Sequence, residues 1–323
     1  MLDLASGKEH RVTQGGSGLR PNAVAEFVAQ EEMSRYTGYW WSPDSERIAY
    51  QQTDHAGVEV WHVADPIRPE ARPQPFYYPR PGKNNAVVKL GVVSWTGGDT
   101  TWIDWTRDKH PYLGSVRWQK NAPLCLVVQT RDQRELAILA ADPATGKTTT
   151  LLAEQSKTWI NLRQDVPHWL PDGQSFLWVS DKDDVPRVEL RARDGKFRRV
   201  VVNATLGFQS LASLSADGKE IVFNASATPT QSLLYRFPLD HPFAEPEEIL
   251  VEPGMHSIVL SRDHGIAVVT SRTVKAMPTT LVHAGQGKVV GELPSVAEEP
   301  KQAPVLDLVR VGSPEREFHT AVV

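Results

Sequence analysis

Cysteine is almost missing: Cys125 stands alone among 323 residues, so no intramolecular disulfide can brace the fold. Its neighbours Leu124, Leu126, Val127 and Val128 mark it as a small buried apolar side chain. An excess of basic charge is missing too. The 35 Lys and Arg face 39 Asp and Glu, for a formal net charge of -4, which leaves nucleic acid without the cationic surface it needs. No apolar run approaches the ~20 residues that span a bilayer, and the opening MLDLASGKEH carries charge where a secretory leader is greasy. These absences leave the compartment open. The ten histidines show neither an H-E-x-x-H pattern nor clustered ligand spacing, and no Gly-rich phosphate loop leads from an apolar strand into a helix. Neither a metal nor a cofactor is expected. A G-x-S-x-G nucleophile elbow is also lacking; the nearest stretch, Gly15 to Leu19, has no final glycine.

What is present is 40% hydrophobic content, enough for a sizeable core, together with ten Trp, 24 Pro and 22 Gly. The apolar runs are short and separated by turn signals, which describes an all-β chain. The runs also repeat. A strand, a polar turn and a second strand occur at Tyr39 to Gln51, and again at Ser115 to Thr130, Val166 to Ser180, Leu211 to Ser226 and Ser257 to Ser271. The turn residues Asp172, Asp217 and Asp263 are spaced by 45 and 46 positions, close to the ~40 to 50 residues of a four-stranded propeller blade. Ala141 to Leu152 and Arg191 to Val202 read as outer hairpins of such blades, and Leu2 to Thr13 reads as another. The expected fold is an incomplete β-propeller of about five to six four-stranded blades, with residues 1–316 forming the partial propeller and 317–323 starting a strand into a further domain.

Two stretches break the repeat. Between Pro21 and Gly38, Val24, Phe27 and Val28 lack β-like alternation, and Asn22 stands where an N-cap would. A short inserted helix is expected there. The stretch Val63 to Gly82 holds six prolines, cannot be a central strand, and is expected to project from a blade as an arm.

Glu31 and Glu32 are adjacent near the end of that helix, ahead of Tyr39, Trp40 and Trp41. In a helical turn, neighbouring side chains diverge by only about 100° and can converge on one ligand. Two carboxylates beside aromatic walls suit a cation. A peptide α-amino group, with a pKa of about 7.7 to 8.0, is mostly protonated at neutral pH and donates three hydrogen bonds. Composition alone, however, favours a solvated acidic patch at a helix end, and context has to overturn that reading.

The string QEEMSRYTGYWWSPDSERIAY resembles the signature segment of the dipeptidyl peptidase IV family, in which a Glu-Glu pair precedes a Trp-Trp-Ser-Pro strand. The similarity continues through Tyr78 to Val93 and returns at Val166 to Ser180. It implies the propeller half of a serine exopeptidase that releases Xaa-Pro or Xaa-Ala dipeptides from peptide N-termini. In that reading Glu31 and Glu32 grip the substrate amine. Trp159, Leu162 and Arg163 of the segment TWINLR resemble a loop lining the outer pocket, although blade packing and a surface ion pair account for them equally well. The arm Val63 to Tyr78 resembles an element of homodimer contacts; packing on its own blade is the alternative. The resemblance places the catalytic hydrolase domain in cis after the propeller, with Glu317 to Val323 leading into it, and places the family's carbonyl-binding arginine before Met1. This chain alone is then expected to be inactive. Two rivals remain: a stand-alone propeller scaffold, and an oligopeptidase or acylaminoacyl peptidase, which has no use for an ammonium trap.

Overall fold

The computed structural model describes residues 1–182, 185–241, 243–250, 252–274, 276–285, 287–298, 306–313 and 315–322. The chain divides into two compact units, Met1–Trp169 with Ala192–Lys196, and Leu170–Arg191 with Phe197–Val323.

The first unit opens with a helix, α1 (Phe27–Glu31), followed by β1 (Tyr39–Trp41), β2 (Arg47–Asp54), β3 (Val60–Val63), β4 (Gln74–Tyr77), β5 (Val87–Ser94) and β6 (Thr101–Trp102). Strands β1, β2, β5 and β6 form an antiparallel four-stranded sheet in that order, while β3 and β4 pair separately as a two-stranded hairpin. A second four-stranded sheet has the order β10-β9-β8-β7, built from β7 (Tyr112–Trp118), β8 (Leu124–Gln129), β9 (Glu135–Ala141) and β10 (Thr148–Gln155). The short β11 (His168–Trp169) ends the continuous part of the unit.

Side chains of a strand alternate between faces, and the core of this unit follows that period. Val88, Leu90 and Val92 of β5 pack in one cluster with Leu124, Leu126 and Val128 of β8 and with Ala137, Leu139 and Ala141 of β9. Two sheets thus bury their facing sides together. The alternate residues Cys125, Val127 and Gln129 are buried as well, so β8 is enclosed on both faces, which is why it reads as a continuous apolar run. Burial pushes the Cys125 thiol up to about 12.

The second unit holds β12 (Ser175–Ser180), β13 (Arg187–Ala192) up to Arg191, and β14 (Phe197–Val202), adjacent in that order. Two four-stranded sheets follow in chain order: β15 (Phe208–Leu214), β16 (Glu220–Ala225), β17 (Leu233–Pro238) and β18 (Glu247–Glu248), then β19 (Met255–Leu260), β20 (Ile266–Arg272), β21 (Thr279–Ala284) and β22 (Lys288–Glu292). Strands β23 (Asp307–Ser313) and β24 (Arg316–Val322) form a hairpin. The segment Glu317 to Val322 is therefore strand, with Phe318 opposite Val311.

The repeated turn aspartates have a local cause. Asp44, Asp217 and Asp263 each accept the hydroxyl of the Ser two residues earlier, at 2.5, 2.7 and 2.6 Å. Each also accepts the backbone N–H two residues later, at 3.1 Å. The serine bond is the main reason these carboxylates sit below their ordinary range. At Asp172 a leucine replaces the serine, and the bond from the Gln174 N–H remains, at 2.9 Å. These are side-chain-closed turns joining the first two strands of a sheet.

One local expectation is corrected. Asn22 does not cap α1; it bridges Gln52 and donates to Gln14 O at 3.0 Å, and the N-cap is Glu26. Within α1 the buried residue is Ala29, and Ala25 before the helix and Met33 after it are buried too, whereas Val24 is exposed. Leu2 to Thr13 forms a short antiparallel hairpin, in which Leu2 bridges Glu9, Met1 and His10 exchange backbone bonds at 2.9 Å and Asp3 N donates to Lys8 O at 2.9 Å, and Val12 packs beside Ile48, Tyr50 and Val93.

Candidate functional site

Glu31 is the last residue of α1 and Glu32 its C-cap. Both are exposed, and neither carboxylate has a hydrogen bond or ion pair to another described residue. What holds them is underneath. Glu26 adopts the extended backbone of an N-cap but makes no side-chain cap bond, because its carboxylate turns inward. Glu26 Oε2 accepts from Gln51 Nε2 at 2.5 Å and from Arg35 Nη2 at 3.4 Å. The Glu26 and Arg35 side chains are only 5% and 3% exposed. Arg35 also donates to Thr37 O at 2.8 Å and to Leu113 O at 3.1 Å, and its guanidinium lies 5.7 Å from the Trp40 ring centre. Burial dominates the Arg35 pKa and lowers it, with Glu26 working in the opposite direction. A desolvated ion pair therefore joins the two ends of the Glu31–Glu32 turn to each other, and further hydrogen bonds tie them to β2 through Gln51 and to β7 through Leu113.

The exit from the turn is also fixed. Ser34 takes a left-handed conformation, with φ of 53°. At Gly38 a Cβ would fall 2.5 Å from the Ala23–Val24 backbone, so glycine is required where the two segments cross. Val24 and Thr37 bridge there, and Gly38 O accepts from Gln51 N at 2.8 Å.

The segment carrying Trp159, Leu162 and Arg163 reaches the same region. Gln164 Nε2 donates at 2.8 Å to Met33 O and at 2.8 Å to Gly114 O. Strand β7 slips register between Leu113 and Ser115, and at the bulged Gly114 a Cβ would lie 2.7 Å from Leu162 Cδ1. Leu162 thus fills the space of a missing side chain. Arg163 is half-buried, and Trp159 is 61% exposed, its Nε1 donating to Asn161 Oδ1 at 3.3 Å. Beside the turn lies a cleft of about 500 Å³ lined by Ser34, Arg35, Tyr36, Trp40, Arg117 and Gln119 among others. The glutamates stand outside that lining.

The β3–β4 hairpin meets the other flank of α1. The Phe27 ring lies 5.9 Å from that of Phe76 and 4.9 Å from that of Tyr78, both edge-on. Arg80 and Glu59 form a two-point ion pair at 2.6 and 3.0 Å beside it. The proline-rich arm therefore packs on the helix that presents the glutamate pair, while Val63 and Ile67 stay exposed.

A family model described as the dipeptidyl peptidase IV N-terminal region matches residues 1–278. The chain belongs to the dipeptidyl peptidase IV N-terminal region family. Its relatives include inactive dipeptidyl peptidase 10 of Rattus norvegicus, 26% identical over 183 residues, or 54% of this chain and 23% of that protein. Dipeptidyl peptidase 8 of Mus musculus is 35% identical over 122 residues, or 32% of this chain and 14% of that protein. The chain thus spans under a quarter of the length of these relatives. The crystal structure of Porphyromonas gingivalis dipeptidyl peptidase 4 matches with a TM-score of 0.83 over 98% of this chain and 46% of that one, at 16% identity. At that identity the likeness speaks for the fold alone, a β-propeller-like all-β arrangement.

Within this dipeptidyl peptidase IV N-terminal region, the residues that sequence reasoning missed are Glu26, Arg35, Gln51, Gly114 and Gln164. Glu26 and Arg35 are nine positions apart and carry no recognisable spacing, and Gly114 looks like any strand glycine. Gln164 follows directly on Arg163, and its role is set by a partner 131 positions away. Among the described residues no group of three or more His, Cys, Asp or Glu is placed to hold a metal ion, and no helix is long and apolar enough to cross a membrane.

Proposed function

We propose that this domain is an incomplete β-propeller of about five to six blades that gates access to a serine exopeptidase and reads the free N-terminus of its substrate. The observation that carries the reading is the pair of exposed, unengaged carboxylates of Glu31 and Glu32 on a turn whose base is a buried ion pair. A substrate ammonium between them would relieve their mutual repulsion and form charge-assisted hydrogen bonds, about twice as strong as neutral ones. Trp159, Leu162 and Arg163 stand as the outer pocket wall, joined to the turn by Gln164. The nucleophile, base and oxyanion hole come from a hydrolase domain in cis, with residues 317–323 leading toward it. Xaa-Pro and Xaa-Ala dipeptides are the products, because a fixed distance between ammonium anchor and nucleophile admits two residues. The Val63 to Tyr78 arm is assigned to homodimer contacts through its exposed apolar tip.

The test is hydrolysis of a free-amine Xaa-Pro chromogenic substrate by the full-length enzyme that carries this domain. Glu31→Gln with Glu32→Gln should reduce kcat/KM by at least about 100-fold, roughly the loss of two charge-assisted bonds, and N-acetylation of the substrate should do the same. Equal cleavage of acetylated and free substrate would favour the oligopeptidase reading. A second reading, a binding scaffold without catalysis, draws support from the relative named as inactive dipeptidyl peptidase 10; a full-length protein that binds free-amine peptides without cleaving them would establish it.

A further inference from the structure

The cleft beside the glutamate turn has a chemistry opposite to that of the turn. Its lining contains two guanidinium groups, those of Arg35 and Arg117, and no carboxylate. Their situations differ. The charge of Arg35 is met by Glu26 and two carbonyl oxygens. Arg117, next to the core residue Val116 on β7, has a buried Nε with no acceptor among the described residues, and its electrostatic neighbour is Asp165. Burial lowers the Arg117 pKa more than Asp165 raises it, the sign of a desolvated cation incompletely compensated within this unit.

The other groups around Arg117 narrow the ligand. Gln119, in the lining, spends its Oε1 on the Trp169 N–H at 3.0 Å, and its amide N–H groups meet no acceptor among the described residues. Gln164 uses Nε2 on two carbonyls. Trp40 and Trp118 supply apolar walls, both half-buried against the core. Burial first, and Arg117 after it, hold His168 below its ordinary pKa, against carrying charge beside the cleft. With Asp165 and Glu26 close behind, the excess positive charge is small, which suits a monoanion and disfavours a phosphate dianion. A planar guanidinium edge flanked by an amide donor and indole faces matches a carboxylate on an apolar body.

We infer that the cleft is a carboxylate-binding site, in which Arg117 and Gln119 hold the carboxylate of an amino acid or peptide while Trp40 and Trp118 cover its apolar part. The site is separate from the ammonium anchor: it uses none of Glu31, Glu32, Trp159, Leu162 or Arg163 and needs no amine on the ligand.

The experiment titrates this chain, labelled with ¹⁵N, with N-acetylphenylalanine and with its amide, following the arginine Nε–Hε resonances. N-acetylation removes the amine, so the outcome does not depend on the glutamate pair. The acid should bind saturably and shift the Arg117 Nε–Hε signal. The amide should bind about tenfold more weakly, the loss expected for one charge-assisted contact. Arg117→Gln should weaken the acid by a similar factor without lowering Tm, since it removes a desolvated charge, and Arg117→Lys should bind with intermediate strength. Equal binding of acid and amide by the unaltered chain, or unchanged binding by a folded Arg117→Gln, overturns the site. Inorganic phosphate binding more tightly than the acid overturns the ligand class.

Discussion

Gln164 Nε2 donates to Met33 O at 2.8 Å, fastening the segment after Trp159 to the residue that follows Glu32. The same nitrogen reaches Gly114 O, so one carboxamide joins three parts of the first unit: the glutamate turn, the bulge of β7 and the outer-wall segment.

Replacing that carboxamide should loosen all three. Gln164→Ala is expected to cost about 1 to 3 kcal/mol, from two lost hydrogen bonds to partly buried carbonyls, read as a fall in the denaturant midpoint. Gln164→Glu should cost more, because its carboxylate would oppose two carbonyl oxygens. Unchanged stability in both variants would mean that the tie carries no load.

The Glu26–Arg35 pair should be less forgiving. Both side chains are nearly inaccessible, and removing one partner leaves the other charged and buried, a change of about 3 to 5 kcal/mol. Glu26→Gln and Arg35→Met should each destabilise strongly by chemical denaturation, whereas Glu31→Gln and Glu32→Gln should stay within about 0.5 kcal/mol of the unaltered chain. A mild effect at Glu26 would place the support of the turn elsewhere.

Acid should weaken the domain through its histidines. Burial lowers the pKa of His168 and of His55, whose ring stacks 4.6 Å from that of Tyr77 at the arm. Each is more readily protonated unfolded than folded, so the unfolded state binds more protons once pH falls below the ordinary value of 6.5 and stability rises with pH through that window. Their contribution is fully present above pH 6.5 and is lost as pH drops toward the depressed folded values. Thermal melts between pH 7.5 and 5 should show this slope, and His168→Gln should flatten it; an unaltered slope in that variant would exclude His168 as a cause.

Much of the architecture is legible in short-range chemistry. The Ser-x-Asp turns at Asp44, Asp217 and Asp263 close on themselves within five residues, so their spacing reports the sheet repeat directly. The continuous run Leu124 to Val128 announces a strand covered on both faces. The inserted helix is legible for the same reason, a break in alternation, but the side chains it buries are not. Ala25 and Ala29 are small enough to read as neutral, while the larger Val24 and Phe27 draw attention and end up facing outward or toward the arm. Asn22 fits a cap by residue type, yet Glu26, the actual N-cap, directs its carboxylate to Arg35 instead of the helix N–H groups. The chemistry of the glutamate pair was visible as composition, and its support was not, because Gln51, Leu113 and Gln164 meet the turn across long chain separations.

The most direct test of the ammonium anchor is calorimetric titration of this chain with the dipeptide Ala-Pro and with N-acetyl-Ala-Pro. The account predicts that the free amine binds at least about tenfold more tightly, and that Glu31→Gln with Glu32→Gln abolishes the difference while leaving the fold intact. Equal affinity for the two peptides, or a preference that survives both substitutions, would contradict it.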